Sequence, residues 1–129
     1  LLFDISISDN EYEEEGWSRV TIPDSVTLIG NDSFRNNYLK NVDIPFGVMS
    51  IGERAFANNL LSSIEIPGSV DSIGDASFFG NQLSSVVIPG SITSINEYAF
   101  AENLLTSAVI REGVITIGQG SFEWNDLSD

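Results

Sequence analysis

Cysteine and histidine are both missing from this chain of 129 residues. Without cysteine there is no disulfide framework and no thiolate metal site; without histidine, the side chain most used for proton transfer and for zinc is gone. Basic residues are scarce too. Five against nineteen acidic ones leave a net charge of −14, which excludes DNA, RNA and an anionic lipid surface as partners unless a cation bridges them. Long apolar runs are also lacking: the longest, Tyr98 to Ala101, has four residues, against the roughly 20 that a membrane helix needs, and no membrane insertion is predicted. The chain opens at Leu1 with no start methionine and no basic-then-apolar leader, and the expectation is a piece of a longer product.

What the sequence does have is a period of 22 residues. Copies begin at Val20 and run 20–41, 42–63, 64–85, 86–107 and 108–129, after a preface of 1–19. Four columns are unbroken: Ile22, Ile44, Ile66, Ile88 and Ile110; Phe34, Phe56, Phe78, Phe100 and Phe122; Asn37, Asn59, Asn81, Asn103 and Asn125; Leu39, Leu61, Leu83, Leu105 and Leu127. One copy is too short to bury an apolar side alone, whereas stacked copies share an interior, so the period predicts a solenoid.

Within a copy, Val42 and Ile44 flank Asp43 in the alternation of a very short strand, and equivalent strands of successive coils are expected to pair in parallel. Pro23, Pro45, Pro67 and Pro89 end that strand, lacking the N–H to extend it. Val48 and Ile51, three apart, suggest a turn or a brief extended stretch. Gly30, Gly52, Gly74, Asn96 and Gly118 share a column, and glycine with asparagine as sole substitute predicts a left-handed corner. Ser33, Ala55, Ser77, Ala99 and Ser121 precede each phenylalanine, as a short helical turn pressed on its neighbour would require. The asparagines lie between buried positions and are expected to form a ladder on turn backbones; no copy carries a glycosylation signal there.

The preface aligns imperfectly, with Ile7, Tyr12 and Trp17 at the Ile29, Phe34 and Leu39 columns. Residues 1–19 are read as a degenerate capping coil, its acidic run from Asp9 to Glu15 solvated and Phe3, Ile5 and Ile7 packed inward. That run lacks the spaced ligands and central glycine of a calcium hand, and no metal site is assigned to it. At the other end Arg111 replaces proline and Ala108 a branched residue. An exposed last coil would invite end-to-end self-association.

The recurring unit, as in "IPDSVTLIGNDSFRNNYLKNVDIP" and "IPGSVDSIGDASFFGNQLSSVVIP", resembles the BspA-type leucine-rich repeats of bacterial and some protozoan surface proteins over residues 20–129. The resemblance implies an α/β repeat solenoid, a right-handed superhelix of short parallel strands, turns and short helical turns. It also implies an extracellular or cell-surface setting and a role in attachment or protein binding without catalysis.

Outward positions of the expected sheet supply the candidate site: Arg19, Asp43, Glu65, Val87, Val109 and Arg111. The middle column runs Thr21, Asp43, Glu65, Val87, Val109, so two like charges become neighbours and two valines face water, both features of a binding face. The blander account is that such valines are ordinary strand formers and the carboxylates merely solvated. Asp43 and Glu65 would sit too close for inverting hydrolysis, in an open and wet setting; no catalytic residue and no cofactor is assigned. The expected partner is a protein or glycan, with a basic one favoured by the charge. The alternative is a structural spacer or self-assembly unit with no ligand.

Overall fold

The computed structural model describes residues 6–128; Phe3, Ile5 and Asp129 lie outside that range. The chain winds as a parallel β-solenoid of about five turns, and equivalent residues of successive coils lie one above another. Strands β1 (Ser6–Ile7), β2 (Leu28–Ile29), β3 (Ser50–Ile51) and β4 (Ser72–Ile73) form one parallel sheet in chain order. β5 (Ser85–Ile88) pairs with β7 (Ser107–Ile110), and β6 (Ser94–Ile95) with β8 (Thr116–Ile117). Every register joins residues one repeat apart, such as Ile7 to Ile29 and Val87 to Val109.

The interior is the set of columns that the period defines. Phe34, Phe56, Phe78 and Phe100 are fully buried, with consecutive rings 5.3–5.6 Å apart and within 8° of parallel. Tyr12 continues the stack below Phe34 and Phe122 above Phe100. The preface follows the coil path from Ser6 onward: Ile7 is buried beside Ile29, and the Trp17 carbonyl accepts from Tyr38 N–H as that of Leu39 accepts from Leu60.

The asparagine ladder is present and satisfied. In the Asn59 rung, Nδ2 donates to the carbonyls of Phe56 in its own coil (3.1 Å) and Phe34 in the one before (2.9 Å), while Oδ1 accepts from Leu39 N–H (3.0 Å). Asn37, Asn81, Asn103 and Asn125 repeat the pattern. Each buried amide is thus paired on both sides, the condition under which such a group is tolerated.

Three expectations are corrected. First, no helix occurs among the described residues. The phenylalanine turn instead places two left-handed residues four apart, for example Asp32 (φ 58°) and Asn36 (φ 59°). N–H groups of Asp32, Phe34 and Asn36 then reach carbonyls of Glu53, Ala55 and Ala57 in the next coil, and those of Ser33 and Arg35 close within the turn. An α-helix is about 10 Å across, whereas the phenylalanine rings repeat every 5.3–5.7 Å; only a flat turn stacks at that pitch.

Second, Gly30, Gly52, Gly74 and Gly118 are not the left-handed residues. Their requirement is space: a Cβ on Gly52 would lie 2.6 Å from Asn31 N, and one on Gly30 2.6 Å from Ile7 O. Each of these glycines donates its N–H to the isoleucine carbonyl of the coil before, at 2.6–2.8 Å. Asn96 has the Cβ that this approach forbids, and there the ladder breaks: β4 does not pair with β6. Its side-chain Nδ2 spans the wider gap to Ile73 O at 2.7 Å.

Third, the longest sheet lies along the column of Ile29 and Ile51, where the brief extended stretch allowed by the sequence is a two-residue strand in each coil, and not along the Val-x-Ile column expected to pair. The Val-x-Ile column forms strands only at β5 and β7. Proline is one reason. Arg111 N–H donates to Ile88 O at 3.0 Å, a rung that Pro45, Pro67 and Pro89 cannot make. Charge adds to it at one interface: Val87 faces Val109 across the pair that closes, while Asp43 and Glu65 would meet as like charges across one of those that do not.

Candidate functional site

Because the Val-x-Ile column closes only at its C-terminal end, the strand face is open over the second and third coils. The backbone groups of residues 41–44 and 63–66 make no hydrogen bonds with one another, although the coils are sealed at the phenylalanine turn and at the glycine corner. A cleft of about 280 Å³ lies between Asn41–Ile44 and Ser63–Glu65. A second, of about 560 Å³, runs from Ser63–Ile66 over Ser85–Val87 to Pro89, Gly90 and Arg111. Ser63, Ile64 and Glu65 line both, so the two are one groove along the solenoid.

The sequence candidates fall on this groove unevenly. Asp43 lines its polar end, Glu65 the junction, and Val87 and Arg111 the apolar end. Val109 stands in register beside Val87, both nearly half exposed at 44% and 46%. Arg19 is not brought to it; it borders a separate hollow with Gly16, Trp17, Ser18 and Val20. Sequence reasoning did not find the unpaired backbone of 41–44 and 63–66. Its signal was the adjacency of Asp43 and Glu65, which opposes closure of the pair beneath them.

Elsewhere Arg35 and Arg54 are engaged with carboxylates. Arg54 grips the Asp32 carboxylate with Nε and an amino group at 2.7 and 3.0 Å, which holds the guanidinium pKa above its ordinary value. Arg35 bridges Glu13 and Asp32 at 3.4 and 3.7 Å. Among the described residues, no three of His, Cys, Asp and Glu converge as metal ligands would. No helix there is long and apolar enough to cross a membrane.

At the C-terminal end the apolar columns emerge into solvent. Ile110, Ile117 and Leu127 are 40%, 55% and 39% exposed, whereas Ile88, Ile95 and Leu105 below them are buried.

These features define a class, the leucine-rich-repeat solenoid that presents surface through an open side. Within it, the family model for the BspA type leucine rich repeat region matches residues 5–128 in six copies, and the chain belongs to that family. Its repeat is a module of surface proteins. No curated protein and no solved structure matches the chain.

Proposed function

We propose that the chain is a non-catalytic binding module of a larger bacterial surface or secreted protein, acting outside the cell in adhesion or interaction. It engages a protein or glycan through the strand face. The observation that carries this reading is the groove lined by residues 41–44, 63–66, 85–87 and 89–90, where coils joined at the phenylalanine turn stay untied. Exposed carboxylates at one end and exposed valines at the other give it both charge and apolar area, the combination found at recognition surfaces. The net charge of −14 favours a basic partner and makes association weaken with salt.

The test places a photocrosslinking residue at Ser63 or Ser85 on the strand face, and at Tyr38 or Leu104 on a different column, against a captured partner. Crosslinks are expected from the first two positions, and are expected to vanish when Asp43→Ala, Glu65→Ala and Val87→Asp are combined. Crosslinks confined to the Tyr38 and Leu104 positions would overturn the reading.

A second reading, a spacer or self-assembly unit without a ligand, is favoured by the exposed Ile110, Ile117 and Leu127. Coil-on-coil contact through them would raise the scattering mass with concentration, and Ile117→Glu would abolish the rise. A mass independent of concentration removes it.

A further inference from the structure

Resting on the strand face as the recognition surface, we propose that the groove takes an extended peptide carrying an arginine and, four residues along on the same face, an apolar side chain. The arginine lies between Asp43 and Glu65; the apolar side chain lies on Val87 and Val109.

The two ends of the groove select different chemistry. Asp43 and Glu65 supply carboxylates, and the cleft between them is lined by backbone whose carbonyl oxygens have no donor among the described residues. A lysine ammonium is a compact point charge. A guanidinium is flat and carries five donors, enough to engage both carboxylates and still offer N–H groups to free carbonyls at the mouth of the cleft. At the other end, Val87, Val109 and Pro89 offer an apolar wall, and Arg111 at its margin repels a second cation. The charge of the ligand is thereby placed at one end only. No aromatic ring lines either part of the groove, and nothing there stacks on a sugar ring, so a peptide is favoured over a glycan.

Coil spacing sets the separation. Stacked rings repeat every 5.3–5.7 Å, and the carboxylate pair and the valine pair are centred two coils apart, roughly 11 Å. An extended chain rises about 3.3 Å per residue and turns alternate side chains to one face, so the same-face offset nearest this separation is four residues, about 13 Å.

The probe is an acetylated, amidated Gly/Ser peptide with arginine and leucine four residues apart, titrated into the uniformly ¹⁵N-labelled chain. Amide shifts are expected at residues 41–44, 63–66 and 85–88. Affinity is expected to drop about tenfold or more when lysine or citrulline replaces arginine. The pair Asp43→Asn with Glu65→Gln should give a similar loss with the melting temperature unchanged or raised, since a like-charge contact is relieved. Equal affinity for the lysine or citrulline peptide, indifference to the double variant, or groove shifts caused by neutral oligosaccharides instead of the peptides would overturn the inference. If no peptide binds while photocrosslinks still map to Ser63 and Ser85, this inference falls and the strand-face reading stands. Crosslinks at other faces sink both.

Discussion

At the scale of single residues, asparagine and phenylalanine divide the labour of stacking. Each phenylalanine removes a large apolar surface from water and touches its equivalent above and below. Each asparagine pairs backbone groups that the turn would otherwise bury unsatisfied. Phe56→Ala is expected to cost about 3–5 kcal/mol. Asn59→Leu removes two donors to carbonyls that keep another asparagine, and strands the Leu39 N–H entirely, so about 2–4 kcal/mol is expected. Urea denaturation checks both, with exposed Ser62→Ala as the control. Glu11 gives a pH handle: a hydrogen bond from Tyr12, then the backbone N–H of Ser8 at 2.8 Å, holds its carboxylate below the ordinary value of 4.5. Between the depressed and ordinary values the unfolded chain binds more protons. The contribution is therefore full above the ordinary range and lost as pH falls through the folded value. Glu11→Gln is expected to shallow the acid limb of a melting-temperature profile slightly, because the group is exposed. An unaltered limb would refute it.

The element that decides where the coils join is the residue after the buried isoleucine. Glycine lets the backbones touch; Asn96 does not, and the first sheet stops at β4. Asn96→Gly is expected to let β4 pair with β6, so that the residue 96 N–H becomes protected from hydrogen exchange. Gly52→Ala should do the reverse, pushing two coils apart and exposing the Gly52 amide. An alanine tolerated at position 52 without loss of protection would contradict the packing account. The short pair β5–β7 makes the same point with different chemistry, since it closes where Arg111 restores an N–H and valine faces valine.

For the molecule as a whole, each coil contacts only its neighbours, and stability should grade along the axis instead of being shared evenly. In the fifth coil Ile110, Ile117 and Leu127 are exposed where their equivalents in the middle are buried. Amides of residues 114–128 are expected to exchange well before those of 50–105, by native-state hydrogen exchange. Uniform exchange along the chain would mean a single cooperative globule.

The repeat length, the inward columns of Ile, Phe, Asn and Leu, and the family were all legible in the sequence, because a period of 22 residues forces like side chains into contact whatever path joins them. The path itself was not legible. Whether a phenylalanine turn is helical depends on the pitch between coils, and whether a corner glycine serves conformation or clearance depends on how near the previous backbone lies. Neither quantity is written in one copy. The candidate site divides in the same way: Asp43, Glu65, Val87 and Arg111 were found as outward positions, but the groove they line exists because prolines and a like-charge neighbour keep one column from closing. That balance is settled between coils, in the tertiary structure.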